Sequence, residues 1–281
     1  MSPTAKASAG AAGGQSTDRY LGMDGARLRY RDEGRGAAVL LVHGWTLDLD
    51  VWESQVEALR HAFRIIRFDR RGFGRSSGRP SIEHDVRDVG ALCRHFQLER
   101  VALVGMSQGS RAVLAYACAN PGQVSCIALD GPPEFDSSIL GANASLAPFR
   151  ELVRTHGLAA FREQWVQHPL MQLRTHDVGT RELLQRIVER YPGNDLSQGA
   201  GDAPSPDLWA KLESLTVPAL VITGEHDLPG RVRSADTLAK RLPAGARAVI
   251  AGSGHLASLD NPDTYNRLLA AFLARHADFA G

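Results

Sequence analysis

The amino-acid sequence predicts an α/β protein with a mostly parallel, doubly wound sheet and an inserted helical region. First, short apolar runs such as "AAVLLV" recur along the chain, and they suit strands that are buried on both faces of a parallel sheet. Second, amphipathic helical patterns separate these runs, and such strand–helix alternation is typical of this architecture. Third, the alternation stops between residues 134 and 215, where the pattern is helical only. These observations predict the fold class before any single residue is considered.

The candidate strands are residues 28–32, 39–42, 63–68, 101–104, 125–130, 218–223 and 246–250. Helical patterns lie between them. A short helix is marked by Trp52, Val56 and Leu59. A longer helix is expected after the N-cap residue Ser81, because apolar residues then recur at steps of three and four. A last helix opens at Asn261-Pro262, since proline is favoured in the first turn.

The chain is expected to have three parts. Residues 1–17 are small, polar and glycine-rich, without the apolar core of a signal peptide, so we interpret them as a flexible N-terminal tail. Residues 18–133 and 216–281 form the α/β core. Residues 134–215 form a helical lid, or cap, with candidate helices at 146–155, 158–168, 177–191 and 207–214.

Composition excludes several classes of function. Apolar residues make up 43% of the 281-residue chain and charged residues 22%, which is ordinary for a globular protein. A net charge of +1 gives no electrostatic reason to expect nucleic acid or an anionic membrane as a partner. The three cysteines show no paired spacing, which favours a reducing, cytoplasmic setting. The ten histidines show no metal-ligand spacing, so we expect no metal and no other cofactor.

The stretch Gly105-Met-Ser-Gln-Gly109 holds the first candidate catalytic residue, Ser107. A candidate strand precedes it and a good helical pattern follows it. This strand–turn–helix context is the one in which a G-x-S-x-G motif presents a nucleophilic serine at a sharp turn. The flanking glycines leave room where larger side chains would collide.

A serine nucleophile needs a base, and the base needs a group that orients it. In an open α/β sheet, ligands bind where the strands end at their carboxyl edge. Two later strands end in the glycine-bearing loops "GEHD" and "GSGH", which supply Asp227 and His255. Asp130, which also ends a strand, and Glu225 are the alternatives for the acid. The base is therefore expected to be His255 and the acid Asp227, with those two alternatives open.

Charge that develops on a carbonyl oxygen must be met by fixed donors. The strand "AAVLLV" runs directly into His43-Gly44-Trp45, where the backbone N–H of Trp45 can point inward. The second expected donor is the backbone N–H of Gln108, the residue after the nucleophile. His43 is expected to organise this loop rather than to carry protons.

Together with the segment "DRRGFGRS" at residues 69–76, the motifs HGW, GMSQG, GEHD and GSGH resemble the lidded serine esterases and lactonases of the α/β-hydrolase superfamily. The resemblance covers roughly residues 20–278. It implies the α/β-hydrolase fold and a Ser107–His255–Asp227 triad. It further implies a small-molecule acyl substrate, a carboxylic ester or lactone, that is cleaved through an acyl-enzyme.

Three alternative functions remain open within this resemblance: a carbon–carbon bond hydrolase, a triad-dependent lyase, and a hydrolase-like small-molecule receptor. The sequence departs from many members at two positions. Ser110 stands where many carry another glycine, and Thr46 stands where many carry proline. Neither change removes a catalytic group, but both leave the subfamily open.

Candidate substrate-binding residues lie in the expected lid. They are Phe135, Phe161, Trp165 and Met171. Packing of the lid helices against one another explains these apolar residues equally well. Arginine and histidine are frequent in the same region, which hints at an acidic or polar substrate, although a solvated helical face would look the same.

Overall fold

The computed structural model describes residues 17–133, 146–197 and 208–277. Its strands are β1 (Arg19–Met23), β2 (Ala26–Gly34), β3 (Ala38–Val42), β4 (Arg64–Phe68), β5 (Val101–Met106), β6 (Val124–Asp130), β7 (Ala219–Gly224) and β8 (Gly245–Ile250). Its helices are α1 (Glu53–Leu59), α2 (Ile82–His95), α3 (Gln108–Ala119), α4 (Ala147–Trp165), α5 (Val178–Arg190), α6 (Asn194–Ser197), α7 (Trp209–Leu212), α8 (Pro229–Arg241), α9 (Ala257–Asp260) and α10 (Pro262–His276).

The strands form one sheet in the order β1-β2-β4-β3-β5-β6-β7-β8. From β4 to β8 all neighbours are parallel, whereas β2 pairs antiparallel with both β1 and β4. The predicted mostly parallel, doubly wound sheet is therefore confirmed. Strand β1 was not predicted, because this short edge strand is largely exposed and lacks a buried apolar run.

Helices cover both faces of the sheet and bury one apolar cluster on each. Successive residues of β3 show the division, since Val39 and Leu41 belong to one cluster while Leu40 and Val42 belong to the other. Helices α1 and α10 contribute to the first cluster, and α2, α3 and α8 to the second. A strand that is buried on both faces must be apolar at every position, which explains the continuous runs in the sequence.

Between β6 and β7, the described residues form helices α4 to α7 and short turns but no strand. We call this segment the insertion. Helix α4 is interrupted at Gly157, whose φ of 83° and ψ of 168° are not helical. The break agrees with the two separate helices expected at 146–155 and 158–168, since only glycine adopts such a conformation without strain.

Some expectations concern residues outside the described ranges. These are residues 1–16 of the expected tail, the candidate substrate-binding residue Phe135, and residues 198–207 of the turn-rich stretch in the expected lid. Within the described ranges, no helix has both the length and the apolar character needed to cross a membrane.

Candidate active site

Ser107 lies at the turn between β5 and α3, with a φ of 51° and a ψ of −118°. In this turn the backbone passes so close to residues 105 and 109 that neither position has room for a Cβ atom. A Cβ on Gly105 would lie 2.7 Å from the carbonyl oxygen of Gly109, and a Cβ on Gly109 would lie 2.3 Å from the carbonyl oxygen of Val42. Both distances are far inside van der Waals contact. The two glycines of the motif are therefore steric requirements of the turn.

Hydrogen bonds hold this turn against the ends of two strands. The backbone N–H of Ser107 donates to the carbonyl oxygen of Asp130 at 2.7 Å. The Ser110 hydroxyl donates to the carbonyl oxygen of Gly105, also at 2.7 Å. The Ser110 side chain thus supplies a further hydrogen bond between α3 and β5.

His255 and Asp227 meet in the loops after β8 and β7. Their side chains are joined by a hydrogen bond of 2.9 Å between His255 Nδ1 and Asp227 Oδ2. Burial alone would raise the pKa of Asp227, but the hydrogen bond from His255 and the positive charge of Arg231 lower it below its ordinary value. A carboxylate in this position fixes the imidazole ring and stabilises its charged form.

The two alternative acids have other surroundings. Glu225 is half exposed and accepts a hydrogen bond from the backbone N–H of Gly252 at 2.9 Å. Asp130 is fully buried, and among the described residues neither of its carboxyl oxygens has a hydrogen-bond partner. Burial, reinforced by the nearby charge of Asp227, raises the pKa of Asp130 well above its usual range. Among the three candidates, Asp227 is the acid that contacts His255.

Ser107 makes its side-chain contact with an arginine that the sequence analysis did not single out. Arg231 Nη1 lies 3.4 Å from Ser107 Oγ and donates to the carbonyl oxygen of Gly131 at 2.8 Å. In the part of the chain that is described, no hydrogen bond joins Ser107 to His255. Catalytic hydrogen bonds are often long or poorly aligned before a substrate binds, and they tighten in the enzyme–substrate complex. In the sequence, Arg231 follows Asp227 by four residues, just after a strand that ends at the carboxyl edge of the sheet. This position could have identified Arg231 as a candidate site residue.

The loop after β3 brings the first expected oxyanion donor to the site. The Trp45 backbone N–H donates no hydrogen bond within the described residues. Gln108 is the first residue of α3, where backbone N–H groups have no partner inside the helix. His43 Nε2 accepts from the backbone N–H of Arg70 at 2.8 Å, and its Nδ1 lies 2.8 Å from the carbonyl oxygen of Gly44. His43 thus bridges two loops.

The same loop is tied to the insertion by two tryptophans. The Trp45 indole N–H donates to the carboxylate of Asp195, which lies in α6. The Trp165 indole N–H in α4 donates to Thr46 Oγ1 at 2.7 Å. The rings of Trp45 and Trp165 pack edge to face with centroids 4.7 Å apart. The insertion therefore contacts the side chain of Trp45, the expected oxyanion donor, and that of the next residue, Thr46.

A cavity of about 380 Å³ opens above Ser107, between the sheet and the insertion. Of the expected substrate-binding residues, Trp165 and Met171 line it, whereas Phe161 is fully buried behind Trp165 with its ring stacked 5.9 Å away. Phe149 and the two arginines Arg111 and Arg231 also line the cavity and were not expected. Within the described residues, no cluster of three or more histidine, cysteine or carboxylate side chains could hold a metal ion.

Known proteins resemble this chain in sequence and in structure over most of its length. The sequence profile described as "alpha/beta hydrolase fold" matches residues 37–262. A Bacillus subtilis protein provisionally named 2-succinyl-6-hydroxy-2,4-cyclohexadiene-1-carboxylate synthase is 28% identical over 265 residues, covering 89% of this chain and 96% of that protein. A non-heme haloperoxidase of Rhodococcus erythropolis is 27% identical over 269 residues, covering 89% of this chain and 97% of that protein. The structure of a thermophilic esterase from Thermogutta terrifontis superposes with a TM-score of 0.79 at 26% identity, covering 94% of this chain and all of that one. The chain therefore belongs to the alpha/beta hydrolase fold family.

Proposed function

We propose that this protein is a serine hydrolase that cleaves a small-molecule carboxylic ester or lactone through an acyl-enzyme. The observation that carries the proposal is the buried His255–Asp227 hydrogen bond beside a serine on a sharp strand-to-helix turn, at the floor of a cavity. Similarity to an esterase of known structure supports the ester specificity.

In the proposed mechanism, Ser107 Oγ attacks the substrate carbonyl carbon while His255 Nε2 takes the hydroxyl proton. Asp227 holds the imidazole in the tautomer that leaves Nε2 free to accept. The C–O bond to the leaving alcohol then breaks, and the alcohol oxygen receives the proton from His255. A water molecule, deprotonated by His255, attacks the acyl-enzyme, releases the acid and restores Ser107.

The backbone N–H groups of Trp45 and Gln108 are the proposed donors to the oxyanion. Trp45 lies on the loop after β3 and Gln108 is the first residue of α3, and both line the cavity. Each such donor is worth about 3 kcal/mol of transition-state stabilisation in a comparable site. Because both donors belong to the main chain, their positions depend on the loops that carry them and not on side-chain identity.

The test is Ser107→Ala. We expect the variant to fold normally and to lose at least about 10⁴-fold in kcat on a p-nitrophenyl butyrate substrate, together with labelling by a fluorophosphonate probe. Ser214→Ala, which changes an exposed hydroxyl far along the chain, is the matched control and should behave as the wild type. Full esterase activity in Ser107→Ala would refute the mechanism.

A triad-dependent lyase is the second candidate. The full-length similarity to the Bacillus subtilis synthase is the observation that favours it. Rapid fluorophosphonate labelling of the wild type, without turnover on any ester or lactone of a broad panel, would contradict ester hydrolysis and leave the lyase and the small-molecule receptor as the alternatives.

A further inference from the structure

Asp260, the last residue of α9, lies close to the loop that carries His255. We call residues 251–255, which follow β8, the His255 loop. The Asp260 Oδ2 atom accepts a hydrogen bond of 2.7 Å from the backbone N–H of Gly254 in this loop. Its Oδ1 atom accepts from two successive backbone N–H groups of the insertion, at 2.5 Å from Arg174 and 3.0 Å from Thr175. One carboxylate therefore joins the His255 loop to the insertion.

The two joined segments also pack directly against each other. A Cβ on Gly254 would lie 3.3 Å from the carbonyl oxygen of Gln172 and 3.9 Å from Cγ of Arg174. The first distance is tighter than an ordinary van der Waals contact, so a side chain at residue 254 would crowd the insertion. Hydrogen bonds to a carboxylate are about twice as strong as those between neutral groups, and three of them hold this close approach.

Each end of the connection carries residues of the site. On the core side, His255 follows Gly254 directly, and its ring is hydrogen-bonded to Asp227. On the insertion side, residues just before Arg174 line the cavity, namely His168, Leu170 and Met171. The position of the proposed base and the position of one cavity wall are therefore set through the same carboxylate.

Other contacts hold the His255 loop from the side of β7. The backbone N–H of His226 donates to the carbonyl oxygen of Ser253 at 2.8 Å, and Asp227 contacts the His255 ring. These contacts join the loop to the core, whereas Asp260 joins it to the insertion. Without Asp260 the ring would keep its Asp227 partner, but the loop could shift relative to the cavity wall.

We propose that Asp260 is a positioning residue of the reaction, which holds the His255 loop and the insertion wall of the cavity at a fixed separation. Asp260 is not among the cavity-lining residues, so it acts through His255 and not on the substrate. The inference rests on the proposed serine hydrolysis, in which His255 must reach the Ser107 hydroxyl. A misplacement of about 1 Å in such a pair can cost about 100-fold in rate.

The test is Asp260→Ala, which removes both acceptor oxygens. Two quantities depend on activation of Ser107 by His255: kcat on p-nitrophenyl butyrate, and the second-order rate constant of fluorophosphonate labelling. We expect both to fall by a similar factor of about 10- to 100-fold, with one label per chain still reached at the end point. Asp260→Glu, which keeps both oxygens on a longer side chain, should recover part of the loss. Asp263→Ala, which removes an exposed carboxylate from the next helix, is the matched control and should behave as the wild type.

Hydrogen exchange measures the connection without reference to activity. In Asp260→Ala, amide exchange should become faster in peptides that cover residues 172–176 and in those that cover residues 252–256. The control Asp263→Ala should leave both unchanged. If Asp260→Ala does not fold, Asp260→Asn replaces it in both experiments, because its single carbonyl oxygen can serve only one side of the connection.

The outcomes separate the two proposals. Wild-type kcat and labelling in the variant, or a rise in KM alone, would overturn the positioning role and leave the hydrolase assignment standing. Unchanged exchange in the His255 loop would overturn it as well. If the wild type neither hydrolyses the ester nor becomes labelled, the hydrolase assignment fails and the positioning role falls with it.

Discussion

Arg231 affects the proposed base as well as the nucleophile. Among the described residues, Arg231 and His168 lower the pKa of His255, whereas Asp227 raises it. Burial lowers it further, and the net pKa lies below the ordinary value for histidine. A low pKa keeps the imidazole neutral, which is the form that accepts a proton, down to a more acidic pH.

The pH profile of Arg231→Gln tests this interaction. Activity falls on the acid side as His255 becomes protonated, and removing the positive charge of Arg231 stabilises the imidazolium. We therefore expect the acidic limb of kcat/KM for p-nitrophenyl butyrate to move to higher pH in the variant. Profiles of wild type, Arg231→Gln and the exposed-site control Arg233→Gln measure the shift. An unchanged limb, or one displaced to lower pH, would contradict the electrostatic role.

Asp130 is a second buried acid behind the site, and burial raises its pKa well above the ordinary range of an aspartate. The Tyr265 hydroxyl interacts with its carboxyl, without reaching hydrogen-bond geometry, and the charge of Asp227 disfavours ionisation. Between the unfolded pKa, near 3.9, and the raised folded pKa, the folded state holds a proton that the unfolded state has lost. Asp130 therefore costs stability as pH rises.

The variant Asp130→Asn mimics the protonated carboxyl at all pH values. We expect its free energy of unfolding to gain on that of wild type as pH rises above the unfolded pKa, by up to about 1.4 kcal/mol per pH unit until the folded pKa is reached. Urea titrations at several pH values measure the gain.

Because Asp130 does not contact His255, the variant should keep its esterase activity, whereas Asp227→Asn should lose about 10⁴-fold in kcat. Loss of activity in Asp130→Asn would reinstate Asp130 as the acid.

At the scale of elements, the loop after β3 joins the core to the insertion. Thr46 is buried and has a φ of 62°, which is unusual for a β-branched residue. Its hydroxyl donates to the Trp45 carbonyl oxygen and accepts from the Trp165 indole, both at 2.7 Å. A proline at this position would have φ fixed near −65° and no hydroxyl, so it could make neither contact.

A double-mutant cycle measures this link. Thr46→Val leaves the buried Trp165 N–H without its acceptor, and we expect a loss of about 1–3 kcal/mol in the free energy of unfolding. Trp165→Phe removes the donor and keeps most of the ring. If the hydrogen bond stabilises the loop, the double variant loses less free energy of unfolding than the sum of the two single losses, by about 0.5 kcal/mol or more. Strict additivity would show that the two side chains act independently.

Across the whole molecule, the features that the sequence predicted are strands and turns that depend on residues close together in the chain. Continuous apolar runs predicted the parallel strands, and the motif glycines predicted the turn at Ser107, because each reflects steric demands within a few residues. The exposed strand β1 lacked such a pattern. Arg231 and Phe161 could not be placed, because whether a helical side chain reaches the cavity depends on how the helix packs. The contact between Trp45 and Asp195, 150 positions apart, likewise depends on the tertiary fold.

The double attachment of Trp45 bears on how such proteins can be recombined. Its main chain carries a proposed oxyanion donor, while its side chain anchors α6. A chimera that exchanged only the insertion for that of another family member would leave the Trp45 indole without its carboxylate and would also disturb the main chain. Functional grafts therefore require the segment after β3 to be transplanted together with the helices above it.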